Sequence, residues 1–350
     1  MDIFTSPRLE RLKEYVPEDT GYSLRMDANE SFVSLPPALR AAVAEAIAAL
    51  EFNRYPDPIA TEVITLFGAY IGLSPNCITA GNGSDELINV LIASILDKGQ
   101  RLLVCSPDFA MYRFYAEVAD VPIVPFGKAE PDFSIDPAAL VKAANEAGCG
   151  MIILSNPCSP TGQVLTKEQV EGILKQAECT VVIDEAYGDF FDQSVIDLIQ
   201  TYSNLVVLKT ASKALGLAAL RLGFALTNEK NTAVLRKTKS IYNVNSLTQA
   251  AAAVVLRDTA FLQAAKADII GSRDMLYAGL CTIDGLSVLK SAGNFIFVRP
   301  DMNAGALHAA LKESGICVRL MGDYLRITCA QSAQNQIFID RMGELCGRKV

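Results

Sequence analysis

Between residues 101 and 228 the apolar positions of the chain fall into short unbroken runs, RLLVCSP, VPIVPF, GMIILSNP, TVVID, LVVLKT and RLGFALTN. The segments FAMYRFYAEVA, DPAALVKAANEAG and LTKEQVEGILKQAE, which separate the first four, repeat their apolar residues every three or four positions instead. Unbroken runs closed by Pro, Asn or Asp predict strands buried on both faces, and the wider spacing predicts amphipathic helices. A strand and helix rhythm of this kind predicts an α/β fold, a mostly parallel sheet with helices on both faces. Ligands of such sheets bind beyond the carboxyl ends of the strands, so the polar residues that close each run matter most.

Upstream, PALRAAVAEAIAAL (37–50) and TEVITLFGAYIG (61–72) read as helices, the first opened by Pro37. Between them FNRYPDP is a loop stiffened by two prolines and carrying Tyr55. NCITAGNGSDELINVLIASIL predicts a strand, a turn through Gly81 and Gly83, and a long helix with Ser84 and Asp85 at its start. Unpaired backbone N–H groups at such a start make a seat for phosphate. Residues 1–35 show little periodicity and predict an N-terminal arm. Beyond residue 228 a helical region, interrupted at YNVNS, runs to about residue 280; strands LSVLK, NFIFVRP, ICVRL and YLRITCA follow, with helices near 304–313 and 333–346. The expected organisation is an arm over 1–35, a large domain over 36–245 and a smaller α+β domain over 246–350.

Composition narrows the partners. An apolar fraction of 51% and a charged fraction of 20% are those of a globular chain. A net charge of −8 without any Lys/Arg cluster argues against nucleic acid or an anionic membrane as partner, and the longest apolar tract, LINVLIASIL, is too short to span a bilayer. The N-terminus lacks the apolar core of a signal peptide. Nine scattered cysteines, with no Cys-x-x-Cys pair, predict reduced thiols and a cytoplasmic location. The single histidine, His308, lies in a helical stretch, so neither a metal site nor a histidine-based triad is expected.

The richest chemistry lies in LVVLKTASKALGLAALR, residues 205–221. Here a buried strand turns through Thr210, Ser212 and Lys213 and ends at Arg221. An ammonium beside a buried strand end loses hydration, and its amine becomes a nucleophile towards carbonyls, the chemistry of a Schiff-base lysine. Asp184 ends another run, and a carboxylate there costs several kcal/mol unless it is paired. Pyridoxal phosphate accounts for these residues together: it needs a lysine for its aldehyde (Lys213), a carboxylate for its ring nitrogen (Asp184) and a donor to its phenolic oxygen (Tyr187). It also needs a flat side chain over the ring (Phe109) and a phosphate cup, for which Ser84, Asp85, Thr210, Ser212 and Arg221 are the candidates.

These stretches, with DANES near 27, RYPDP at 54, GNGSDE at 81, SPDFAMY at 106, NPCSPTG at 156, DEAY at 184, YNVNSLTQ at 242, NFIFVR at 294 and LRIT at 325, resemble the fold type I aminotransferases, and within them the histidinol-phosphate aminotransferase group. The resemblance covers nearly the full chain. It implies that Lys213 carries the cofactor, Asp184 faces the pyridine nitrogen, Tyr187 and Ser159 lie by the phenolic oxygen, and Phe109 stacks on the ring. It implies that Gly83, Ser84, Ser212 and Arg221 hold the phosphate, with Tyr55 reaching it from a second subunit of a homodimer. It also implies that Arg326 binds the acidic end of the substrate, assisted by Arg319 and Tyr15; Tyr15 and Asn29 are the arm residues placed to reach a ligand. The substrates would be a small amino donor and a 2-oxo acid acceptor.

Three departures from the group bear on substrate. Ser159 stands where Asn usually precedes Pro-Thr-Gly; the arm reads NESF where NENP is usual; and the segment between Arg319 and Arg326 is short. An aromatic amino acid aminotransferase, and further off a decarboxylase of phosphorylated amino acids, are the competing expectations.

Overall fold

The computed structural model describes residues 21–347 together with Glu10 and Leu12. The described residues contain twelve strands: β1 (Leu24–Met26), β2 (Ile78–Asn82), β3 (Arg101–Ser106), β4 (Ile123–Gly127), β5 (Cys149–Ser155), β6 (Thr180–Asp184), β7 (Leu205–Thr210), β8 (Leu222–Leu226), β9 (Leu286–Leu289), β10 (Phe295–Pro300), β11 (Ile316–Met321) and β12 (Tyr324–Thr328). Seven of them form a sheet in the order β2-β8-β7-β6-β5-β3-β4, with β3 to β7 mutually parallel and β8 antiparallel to both its neighbours. Because two antiparallel steps restore direction, β2 points the same way as β7.

The unbroken apolar runs fold as strands because both faces of the sheet are covered. Alternate residues enter different cores: Leu103, Ile152, Leu154, Val181, Ile183 and Val207 pack on one side, and Leu102, Val104, Met151, Ile153, Val182 and Leu208 on the other. Side chains withdrawn from water in this way contribute about 1.5–3 kcal/mol each, which fixes the register of the edge where the polar closing residues emerge.

The other five strands form a second sheet, β1-β11-β12-β10-β9, covered by the helices Thr259–Leu280, Ala304–Glu313 and Ser332–Cys346. Its core of Phe295, Ile296, Val298, Leu325, Ile327 and Phe338 is continuous with Tyr187 and Phe190 from the larger unit. Strand β1 comes from the segment expected to be an irregular arm; Leu24, Arg25 and Met26 pair in parallel with Ile316, Cys317 and Val318. Only Leu24 and Met26 are buried, too short a pattern to stand out in sequence.

Helix Ser246–Arg257 packs on the helices Pro37–Ala48 and Thr61–Ile71, burying Ala252, Val255 and Leu256 in the core of the large sheet. Asp258 both ends that helix and caps the next, whose Ile269, Leu276 and Leu280 enter the second core. We therefore propose that the two units divide at Asp258. His308 is buried, its Nε2 3.1 Å from the Val318 carbonyl oxygen, a structural contact. Among the described residues no helix is long and apolar enough to cross a membrane, and no cluster of His, Cys, Asp and Glu could hold a metal.

Candidate active site

Ser155, Asp184 and Thr210 are the last residues of β5, β6 and β7, and all three open into one cavity of about 430 Å³, a size suited to a small ligand. Ser84, Asp85, Phe109, Ser159, Tyr187, Ser212, Lys213 and Arg221 also line it. The polar residues that close separate apolar runs are thus gathered by the parallel sheet at its carboxyl edge.

One end of the cavity is an anion seat. The helix Gly83–Ile95 begins there, its first N–H groups unpaired by the helix itself. Two glycines are explained here: a Cβ at Gly223 would lie 2.3 Å from the backbone Ser84 N, and Gly83 has a left-handed φ of +78° with a Cβ position 2.8 Å from the Arg221 side-chain Nη2. Arg221, itself left-handed at φ 48°, donates to Asp85 Oδ2 at 2.9 Å and points Nη1 towards Ser212 Oγ at 3.5 Å. Thr210 Oγ1 donates to Ser212 Oγ at 3.1 Å.

Two lysines lie close in sequence here, and their surroundings separate them. Lys209 is buried on β7 between Glu185 (3.2 Å) and Asp189 (3.3 Å), which hold its ammonium charged and its pKa high against burial. Lys213 is half-buried at the cavity wall, where Nζ donates to the carbonyls of Asn29 (3.1 Å) and Ala28 (3.3 Å) and stands 5.8 Å from the centre of the Tyr187 ring. Only Lys213 is placed to meet a ligand.

The Asp184 carboxyl, on the same cavity, is fully buried, and burial raises its pKa to about 6. Two donors limit the rise: Tyr112 Oη donates to Oδ2 at 2.7 Å, and Ala186 N–H donates to Oδ1 at 3.0 Å. Repulsion from Asp108 and Asp85 adds to it. Tyr112 escaped the sequence reading because it looks like a core aromatic; the available signal was its position three residues after Phe109, whose ring meets it edge-on at 5.5 Å. Asp108, Lys128, Ser155 and Cys158 also form a cluster behind Ser159 that was not anticipated.

Asn29, expected to reach the ligand, is buried beside the cavity instead. Its Nδ2 donates to Tyr187 Oη at 2.8 Å, and its Oδ1 accepts from Thr328 Oγ1 at 3.0 Å. Arg326 Nη1 donates to Ser159 Oγ at 3.2 Å and Nη2 to the Asp27 carbonyl at 2.7 Å, so the arginine reaches the rim through Ser159. Arg319 lies directly across the β11–β12 pair from Arg326, and the short connecting segment is a tight hairpin turn at Gly322 (φ 61°). Tyr55 is 80% exposed, stacked on Tyr242 at 4.5 Å, and does not line this chain's own cavity. Tyr15 lies outside the described residues.

An amine and a buried carboxylate on one cavity, with a helix N-terminus and an arginine at its wall, are chemistry for a phosphorylated aromatic aldehyde. The glycine-lined seat suits its phosphate, and Asp184, already surrounded by donors, suits a protonated ring nitrogen. Fold and site together define a pyridoxal-phosphate-dependent enzyme of fold type I.

Comparison with known proteins carries this further. The chain belongs to the family of class I and II aminotransferases, whose profile matches residues 23–342. It is 38% identical over 332 residues to the histidinol-phosphate aminotransferase of Clostridium novyi (strain NT), covering 93% of each chain. It is 35% identical over 339 residues to that of Thermoanaerobacter pseudethanolicus, covering 95% of this chain and 96% of the relative. Among solved structures, histidinol-phosphate aminotransferase from Sinorhizobium meliloti in complex with pyridoxal-5'-phosphate superimposes with a TM-score of 0.89 at 23% identity, covering 99% of this chain and 98% of that one. L-threonine-O-3-phosphate decarboxylase from Porphyromonas gingivalis gives 0.78 at 22%, covering 92% and 99%. At these identities the two structures speak for the fold.

Proposed function

We propose that the protein is a histidinol-phosphate aminotransferase, exchanging the amino group between histidinol phosphate with 2-oxoglutarate and imidazole acetol phosphate with glutamate. The observation that carries this reading beyond the family is the pair Arg319 and Arg326, directly opposed on β11 and β12. Cross-strand partners leave a sheet on the same face, so both arginines can turn to one anion, and a pair of guanidinium groups suits a doubly charged phosphate better than a single carboxylate. The names of the relatives agree.

When bound, pyridoxal phosphate supplies the aldehyde that takes the amino group and the ring that draws electron density from the substrate α-carbon. In this reading Lys213 would hold the cofactor through its amine, and Nζ, once free, would take the proton from the donor α-carbon. Asp184 would pair with the ring nitrogen and favour its protonated form. Tyr187 Oη, steadied by Asn29, donates to the phenolic oxygen together with Ser159. Phe109, at the cavity wall, would lie against the ring and exclude water. The first N–H groups of the Gly83–Ile95 helix, with Ser212, Thr210 and Arg221, hold the phosphate.

We also infer a homodimer in which Tyr55 completes the phosphate seat of the partner subunit. Phe52 (76% exposed), Tyr55, Ile241 and Leu247 support this, as an apolar surface around the stacked Tyr55–Tyr242 pair. Nine free cysteines accord with a cytoplasmic location. The test is complementation: expression in a bacterial strain lacking histidinol-phosphate aminotransferase restores growth without histidine, and the Lys213→Ala variant does not. Growth that still needs histidine, from a stably expressed protein, refutes the assignment.

A further inference from the structure

The cluster behind Ser159 joins a lysine to a cysteine beside Ser155 and Ser159, which line the ligand cavity. Lys128 Nζ lies 3.0 Å from Asp108 Oδ2 and 2.9 Å from Cys158 Sγ, and all three side chains are buried. Cys158 Sγ also faces the Pro107 carbonyl at 3.8 Å. Ser155 Oγ donates to Asp108 Oδ1 and accepts from the Ser159 backbone N–H at 3.1 Å. We propose that Lys128 and Cys158 are a site of oxidative cross-linking, in which one oxygen atom bridges Nζ and Sγ.

The geometry answers each requirement of that reaction. An N–O–S bridge holds its ends slightly closer than the observed 2.9 Å, so closure needs little movement. Asp108 is hydrogen-bonded to the ammonium and can take the proton that frees the amine lone pair. A cavity of about 70 Å³, lined by Lys128, Ser155, Cys158 and Gln163, gives room for dioxygen or peroxide, since a water needs only about 10–15 Å³. A buried thiol in apolar surroundings is inert; this one has an amine, a carboxylate and an adjoining void.

The step balances with dioxygen as oxidant. The amine and the thiol form N–O and S–O bonds to one oxygen atom and lose two hydrogen atoms, which leave with the other oxygen atom as water. Nitrogen and sulfur give up four electrons, and dioxygen accepts four. With peroxide, two molecules are consumed and three waters form. Reduction by excess thiol restores the amine and the cysteine.

Cross-linking would also reach the ligand cavity. It removes the cation from Asp108, whose charge already raises the pKa of Asp184, and Asp108 is tied through Ser155 to the backbone of Ser159. Weaker cofactor affinity, by about tenfold, is the expected consequence of leaving that buried carboxylate unpaired.

The experiment treats the purified full-length protein with hydrogen peroxide and follows intact mass, tryptic peptides and the affinity of the protein for added pyridoxal phosphate. A mass gain of one oxygen less two hydrogens, cross-linked peptides containing Lys128 and Cys158, and reversal of both by dithiothreitol are expected. Lys128→Arg, which keeps the charge, and Cys158→Ser, which keeps an acceptor, should both lack the cross-link. If a variant fails to fold, the peptide map of the unaltered protein decides. Whole-oxygen gains on Cys158 without a cross-link, or other cysteines oxidising while 128 and 158 stay unjoined, overturn the proposal. A cross-linked protein that binds the cofactor as tightly as before overturns the coupling to the cavity.

Discussion

Replacing Tyr112 by phenylalanine removes one hydroxyl and leaves the ring in its packed position, so it isolates the hydrogen bond to Asp184. That bond, 2.7 Å long, runs from a neutral hydroxyl to a buried carboxylate, a kind worth about 1.5–3 kcal/mol. At 1.36 kcal/mol per pH unit, its loss raises the Asp184 pKa by about one to two units from its value of about 6. The sign follows from linkage. A carboxyl raised above its ordinary value of 3.8 binds protons better folded than unfolded, so it lowers stability progressively as pH rises from about 4 to about 6. Above that window the cost is constant, about 3 kcal/mol. In Tyr112→Phe the window extends upward by the same one to two units. Urea unfolding of the cofactor-free protein across pH, paired with pyridoxal phosphate titrations at each pH, reads both effects. The variant should match the unaltered protein near pH 4, fall behind as pH rises, and bind the cofactor weakly near pH 6 to 7 with recovery at higher pH. A uniform loss at every pH would refute the argument, because it would mean that Tyr112 only fills space.

Lys213→Ala should keep the fold and bind pyridoxal phosphate without a covalent bond, while turnover falls at least about a thousandfold; steady-state kinetics and borohydride trapping check this. Gly223→Ala forces a Cβ to within 2.3 Å of Ser84 N, so stability should drop by about 1–3 kcal/mol and cofactor affinity should fall with it, measured by urea unfolding and cofactor titration. Lys209→Ala strands Glu185 and Asp189 without their buried cation and should cost about 3–5 kcal/mol at neutral pH, with a smaller loss in acid, where the carboxyls protonate.

The α/β architecture was legible because a strand covered on both faces must be largely apolar, and the runs ending at Ser155, Asp184 and Thr210 are, with the ion-paired Lys209 the exception. The same logic located the cavity, since polar residues closing parallel strands converge at one edge. What stayed hidden depends on contacts between distant segments. Tyr112 has the sequence signature of any core aromatic until β6 brings Asp184 beside it. Asp108, Lys128 and Cys158 come from three separate loops, and nothing in their local sequence announces a cluster. Asn29 adopts φ 53° and turns its side chain to Tyr187, a choice settled by Thr328, almost three hundred residues away. The opposition of Arg319 and Arg326 is fixed by the two-residue turn at Gly322, so a segment that looked merely short proves to set the register.

The most direct test of the functional account is a single-turnover comparison. The protein loaded with pyridoxal phosphate is mixed separately with histidinol phosphate and with phenylalanine, and the visible band of the lysine-bound cofactor is followed. Rapid loss of the band with histidinol phosphate, and loss slower by at least about a hundredfold with phenylalanine, is the predicted result, given that two guanidinium–phosphate contacts are worth roughly 3 kcal/mol or more. Fast reaction with phenylalanine and none with histidinol phosphate would contradict the account and assign the site to aromatic amino acids.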